Sequence, residues 1–447
     1  MNFYIPIEVK NRELQAKVLL AAYAARRGFD VILGRKNDLN ELVVRMPAGV
    51  YLGLGAFENF RPFYARLQQL GFAVVVNEEE GLVTYSDSMY IDMRVSRSTL
   101  EHVDELLTWG GENQRVLAQA FPEFEARLHI TGNPRFDLLK PQCRQVYEDE
   151  MRVIEAQYSD YVLVCTSFSS INHFDPKLDY LQSLIDKKTL RSQASIDNFK
   201  RYREVRQKTL AAFLDAIPRL ATAHPGVNIV VRPHPSESAQ AYREASAGLP
   251  NVHVDGRFSV HPWILQAQAL VHHYCTTSIE ALAAGTPRFA LRPVKDELSE
   301  KDIPFGCSVE CADVDQLLAR VADCLAAGPR GWKAPPLSRD YSWYVSNIGE
   351  PWAVAAIADR VQRLGSAGAP RDRSVSGLQA RLARGAYALR KAARRVLRRG
   401  GHRYLDHKFA RLSLTEVEGL LQAFDAADIE ARTYGADFIH ILRRREA

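Results

Sequence analysis

Short unbroken apolar runs alternate along this chain with longer segments whose apolar residues recur at helical spacing. "MNFYIPI" predicts a buried strand, "RELQAKVLLAAYAARRG" an amphipathic helix closing on Gly28, and "DVILG" a second strand. The rhythm returns in "RPFYARLQQLG" followed by "FAVVVN", and in "QRVLAQAFPEF" followed by "RLHITG". Strand, helix, glycine, strand is the βαβ unit of a parallel sheet. A second series opens near residue 160 with "DYVLVCTSF" and continues through the helix "YREVRQKTLAAFLDAIPRLATAHPG" and the strand "VNIVVRP". It closes with "NVHVDG", "QALVHHYC" and the helix "SIEALAAG". The expected fold class is α/β, with two Rossmann-like lobes facing a cleft and ligands at the carboxyl ends of the strands. The expected divisions are 1–150, 151–340, a helix over 341–368 that crosses back to the first lobe, and a C-terminal extension over 369–447. "SAGAPRDRS" is a linker by composition, and a helix is expected near "SLTEVEGLL" in the tail.

A length of 447 residues exceeds one ordinary core, in keeping with two lobes. Glu8 and Glu13 fall where a secretory signal would need its apolar stretch, and no run is long and apolar enough for a membrane span. A cytoplasmic location is the expectation. Six cysteines, at 143, 165, 275, 307, 311 and 324, form no disulfide framework, and Cys307 with Cys311 lacks the partners of a metal site. Asp313 of "DVD" reads as a helix cap, so neither metal nor cofactor is expected. The net charge of +5 hides an asymmetry: 371–403 carries eleven basic residues against Asp372, a local +10, which leaves the rest near −5.

Three stretches carry candidate chemistry. In "VVRPHPSES" the strand ends at Arg232, and two prolines stiffen the loop bearing His234. Arg232, His234 and Pro235 there suit an anionic phosphate, with imidazole able to hydrogen-bond or protonate a leaving group. In "ALVHHYCTTSIEALAAGTP" the hydroxyls of Thr276, Thr277 and Ser278 open a helix, where unpaired N–H groups and the macrodipole attract anions. Glu280, one turn in, suits ribose hydroxyls. In "FAVVVNEEEGL" a buried strand ends in three carboxylates and a glycine, the position for a base acting on an acceptor hydroxyl.

Those three stretches resemble, in their order, the motifs of bacterial sialyltransferases and polysialyltransferases: a pair of acidic residues with glycine, His-Pro, and a Ser/Thr pair. Here they are Glu79-Glu80-Gly81, His234-Pro235 and Thr277-Ser278. "TGNPRFD", with Asn133 and Arg135, is similar to a segment between the lobes of lipid A Kdo transferases. Together with "YIPIEVKNREL" it resembles a family of bacterial surface carbohydrate biosynthesis proteins over residues 1 to about 365. The resemblance implies a two-lobed GT-B glycosyltransferase, with an acceptor lobe first and a nucleotide-sugar lobe second. It implies that Glu79 or Glu80 is the base, that His234 assists departure of CMP, and that Thr277 and Ser278 hold the donor phosphate. Kdo and sialic acids are both 2-ulosonic acids carried by CMP, which accounts for motifs of both groups meeting in one chain.

Glu8, at the first strand-to-helix connection, is a rival base, and two carboxylates leave a double displacement open. Arg12, Arg135 and Arg232 are alternative partners for the donor's carboxylate. The expected reaction moves a Kdo-like or sialic-acid-like acid from a CMP-sugar to a glycan or lipid-linked glycan. The alternatives are a transferase of CDP-linked polyol phosphates and a non-catalytic glycan-assembly scaffold. Over 377–403, Leu378, Leu382, Ala386, Leu389, Ala393 and Val396 form one helical stripe amid arginines. That pattern suits an anionic membrane at the inner face of the inner membrane, and it equally allows packing on the protein's own body. No recognition motif or aromatic interleaving supports nucleic acid as a partner.

Overall fold

The computed structural model describes residues 1–83, 86–187, 189–190, 192–296, 300–301, 303–328, 331–334, 336–337, 340–367, 379, 382–390, 411–435 and 437–444. They form two compact units: Met1–Glu79, Arg94–Val146 and Ser342–Ala447 make unit 1, and Glu80–Met93 and Tyr147–Tyr341 make unit 2. The fold class is the α/β one expected from the sequence, with a largely parallel sheet in each unit.

Unit 1 is built on β1 (Asn2–Ile7), β2 (Asp30–Arg35), β3 (Gly49–Gly53), β4 (Ala73–Asn77), β5 (Glu105–Thr108) and β6 (Leu128–Ile130). These six run parallel in the order β2-β1-β3-β4-β5-β6. Helices on the faces explain why the strands read as continuous apolar runs, with Phe3, Ile5, Val31, Leu33, Val50 and Val75 fully buried. Pro6, which has no N–H, lies where β1 pairs β2 alone, because the β3 pairing ends at Tyr4. Helix Lys10–Arg26 follows β1, and the Glu13 carboxylate closes its N-terminus by accepting the N–H groups of Glu8 and Val9, each at 3.0 Å.

Unit 2 holds β7 (Tyr161–Cys165), β8 (Asn228–Arg232), β9 (Val252–Val254), β10 (Ala269–His272), β11 (Arg288–Leu291) and β12 (Val309–Cys311). All are parallel, in the order β12-β11-β10-β7-β8-β9. Val162 and Val164 face one core with Phe213 and Ile217 of helix Gln193–Ala223, while Tyr161 and Leu163 face another with Trp263 and Leu270. Glu80–Met93, which the sequence reading kept with the first lobe, packs here because Met89 is buried with Leu190, Phe199 and Tyr202.

Residues 411–444, in the stretch expected as a C-terminal extension, belong to unit 1. Helix Leu414–Ala423 leads into β13 (Ile429–Thr433) and β14 (Phe438–Arg443), and β14 adds antiparallel to β2, covering the edge of unit 1's sheet. The Phe438 ring lies on Gly34, where a Cβ would meet it at 2.4 Å. Residues 368–378, 380–381 and 391–410, with much of the basic segment, lie outside the described residues.

Candidate functional site

In unit 2 the strand order reverses direction between β7 and β10, since β8 and β9 extend one way and β11 and β12 the other. Ligands of open α/β sheets bind outside the carboxyl ends of the strands at such a switch point. The loops after β7, β8 and β10 meet there.

His234 is exposed on the β8 loop, and its Nδ1 accepts the N–H of Ser236 at 3.2 Å. An accepting Nδ1 puts the neutral ring's proton on Nε2, the tautomer able to donate to a phosphate oxygen. The loop is clamped by Glu237, buried and inside the stretch "VVRPHPSES" itself. Its Oε1 accepts from the backbone of Phe168 at 2.7 Å and of His234 at 3.2 Å. Its Oε2 accepts from the hydroxyls of Thr166 at 3.0 Å and Tyr242 at 2.5 Å. Burial pushes the Glu237 carboxyl up, and these four hydrogen bonds pull it back in part. Sequence reasoning passed over this residue because an acid in a Ser- and Pro-rich loop reads as solvated.

The hydroxyl run opens helix Thr277–Ala284, with Thr276 half-buried at the N-cap and making no side-chain capping bond. Ser278 is buried, and its hydroxyl donates to the Cys275 carbonyl at 2.8 Å. The Thr277 hydroxyl is buried and finds no hydrogen-bond partner among the described residues. Glu280 is buried with its Oε1 3.5 Å from Nε2 of His261, whose Nδ1 meets the Tyr147 hydroxyl at 2.8 Å. Arg232 turns its guanidinium to the carbonyls of Arg257 and Phe258, at 2.6 and 2.7 Å, and so ties the end of β8 to that turn. Pro235 is exposed beside His234.

The three glutamates after β4 separate sharply. Glu78 is buried and ion-paired with Arg94, and Trp109 Nε1 donates to its carbonyl at 2.5 Å. Glu79 is buried 2.6 Å from Nζ of Lys17, itself buried on helix Lys10–Arg26. Burial alone would raise the Glu79 carboxyl, but the charge and hydrogen bond of Lys17, with Arg12 and Arg135, hold it below the ordinary range. Glu80 is exposed. Glu8, also exposed, reaches Lys36 at 2.9 Å. Lys17 went unread because one lysine in an apolar helix stripe carries no mark of its partner 62 positions away.

Arg135 is buried over the Trp109 ring at 5.7 Å, and Arg12 is half-buried 3.6 Å from Glu13. Asn133 accepts the N–H of Arg135 and exchanges hydrogen bonds with Asn347, each at 3.0 Å. Asp137 accepts the N–H groups of Ala353 and Val354 at 3.1 and 2.9 Å and so caps helix Ala353–Ala367. "TGNPRFD" is thus a knot that holds the returning helix. Asp313 caps helix Val314–Ala327 through the N–H of Gln316 at 2.8 Å. Among the described residues no group of His, Cys, Asp or Glu gathers as metal ligands, and no helix is long and apolar enough to cross a membrane.

No protein-family model matches the chain, and no curated protein matches it. Solved structures do resemble it. A histidine-to-asparagine variant of the wall teichoic acid polymerase TagF, soaked with CDPG, is similar over 82% of this chain and 88% of its own. Its identity is 12% and its TM-score 0.51. The complex of MnaA from S. aureus with UDP is similar over 84% of this chain and 99% of its own, at 12% identity and TM-score 0.51. A Listeria monocytogenes protein described as a UDP-N-acetylglucosamine 2-epimerase shares 13% identity over 84% of this chain and 99% of its own, with TM-score 0.51. At these identities the likeness establishes the shared GT-B-like α/β fold.

Proposed function

We propose that the chain is a transferase of bacterial surface-polymer synthesis using a nucleotide-activated donor, and that it moves a Kdo-like or sialic-acid-like 2-ulosonic acid from CMP to a glycan or lipid-linked glycan. The carrying observation is His234, its ring held as the Nε2–H tautomer by Ser236 and its loop clamped by Glu237 at the switch point of unit 2. In this reaction the bond from the anomeric carbon to the phosphate oxygen breaks, and its electron pair leaves with CMP. The acceptor oxygen bonds to that carbon and its proton passes to a carboxylate. His234 donates to the departing phosphate, and fixed donors of this kind are worth roughly 2.7–4 kcal/mol each in the barrier. Glu80 is the proposed base. Its neighbours Glu78 and Glu79 are engaged in buried ion pairs, and a carboxylate held low is a weaker base.

A CDP-linked polyol phosphate donor is the second reading, favoured by the likeness to TagF with CDPG. The test is protection against thermal unfolding by CMP, CDP and UDP in wild type and His234→Ala. Protection by cytidine nucleotides that weakens in the variant is expected. Preference for UDP, or no protection by any nucleotide, overturns the donor. Phosphorus in the product linkage separates the two readings.

Residues 377–403 are proposed to meet an anionic membrane surface. In support, the described helix 382–390 leaves Leu382 and Leu389 64% and 74% exposed and buries Tyr387 to 3%.

A further inference from the structure

Helix Gln193–Ala223 buries Tyr202, Val205, Thr209, Phe213, Ala216 and Leu220, an apolar stripe at helical spacing. Arg206 occupies that stripe, 2% exposed. Moving a cation out of water costs several kcal/mol unless a counter-charge or a full set of acceptors meets it. No carboxylate lies within ion-pair distance of Arg206 among the described residues. Its Nη2 donates to the Ser167 carbonyl and, at 2.7 Å, to the Ser167 hydroxyl, and the guanidinium lies over Phe168 at 4.9 Å and Tyr202 at 5.3 Å. Nε and Nη1 are buried and find no acceptor. Packing alone would favour an apolar side chain at this position.

The place is specific. Ser167 follows β7 and donates its hydroxyl to the Tyr274 carbonyl, after β10, at 3.2 Å, so it bridges the two strands that flank the switch point. Ser167 is itself half-buried, so the loop over the guanidinium reaches solvent. Ser170 on the same loop has a buried hydroxyl with no partner, and helix Thr277–Ala284 begins five residues after His272, the last residue of β10. A buried unpaired guanidinium, an orphan hydroxyl and a helix N-terminus thus collect at one end of two adjacent strands.

We propose that Arg206 is the floor of an oxyanion site, one of its unpaired N–H groups, on Nε or Nη1, donating to a phosphate oxygen while Nη2 stays on Ser167. Identifying that phosphate as the donor's rests on the function proposed above; the site itself does not.

The test uses the full chain, melted with orthophosphate, pyrophosphate, CMP or CDP, against chloride at equal ionic strength. Wild type is expected to gain about 4 °C or more at saturating pyrophosphate. Arg206→Met should melt at or above the wild-type temperature without anion, because an unpaired buried charge has gone, and should lose the anion shift. Arg206→Lys keeps the charge but not the guanidinium donors at Nε and Nη1, and should retain a reduced shift; it decides the matter should the methionine variant not fold. An unchanged shift in either variant, or no shift in wild type, overturns the site. Nucleotides that protect wild type and Arg206→Met equally leave the donor reading standing and remove Arg206 from it. A pyrophosphate shift that needs Arg206, with no response to CMP or CDP, does the reverse.

Discussion

Replacing Glu237 in two ways separates its charge from its hydrogen bonding. In Glu237→Gln the amide oxygen still accepts from the Phe168 and His234 N–H groups, while the Thr166 and Tyr242 hydroxyls rotate to accept from the new NH2. Loss of about 1 kcal/mol or less is expected. Glu237→Ala strands four buried donors and should cost on the order of 3 kcal/mol, with nucleotide protection lost as His234 comes loose. The pH dependence has a definite sign. A carboxyl raised above its ordinary 4.5 by burial contributes stability that is full below that value and declines as pH rises through the folded value. Denaturant midpoints across pH should therefore move in favour of Glu237→Gln as pH rises; midpoints that run parallel would contradict this account. His234 was legible in the sequence because prolines announce a stiff loop at a strand end. Glu237 and Lys17 were not, because what defines them is burial against partners that no local pattern displays.

At the scale of elements, the Gly132 knot can be weighed against a plain helix stop. Gly28 and Gly132 both sit in the left-handed region, at φ +86° and +78°. A Cβ on Gly28 meets nothing within 4 Å, but one on Gly132 meets Asn347 Oδ1 at 2.2 Å. Gly28→Ala should therefore cost about 1 kcal/mol, and Gly132→Ala roughly 3 kcal/mol, because the Asn347 side chain that ties down the returning segment must move. Equal shifts in urea midpoint would show that the knot carries no weight. Long apolar runs such as "MNFYIPI" and "VNIVVRP" named their strands in advance. β3, β5, β11 and β12 went unread, and length is not the reason, since β6 and β9, of three residues each, were named. β13 and β14 were missed because "IEART" and "FIHILR" take their meaning from β2, some 400 positions earlier, which offers them an edge.

At the scale of the whole molecule, charge is distributed unevenly along the sequence. A local +10 over 371–403 sits in a chain otherwise near −5. Two readings of its apolar stripe were open, docking on a membrane and packing on the protein. In helix 382–390 the contacts with unit 1 are made by other residues: Tyr387 against Phe438, Arg384 at 4.0 Å over the Tyr434 ring, and Arg390 at 3.5 Å from Glu41. Leu382 and Leu389, seven positions and two helical turns apart, stay outward. A lone leucine on a surface is ordinary, but two on one helix face inside a dense basic segment support the proposed docking on a bilayer carrying anionic lipid, at about 1 kcal/mol for each basic residue near it. The full chain should sediment with vesicles containing phosphatidylserine and far less with neutral vesicles. Added salt should weaken that binding, and Leu382→Glu with Leu389→Glu should reduce it at least tenfold without lowering the melting temperature. Equal recovery on neutral and anionic vesicles would remove the electrostatic part of the reading. Unchanged binding by the double variant would remove the helix face, and with it the reason for placing the acceptor at a membrane.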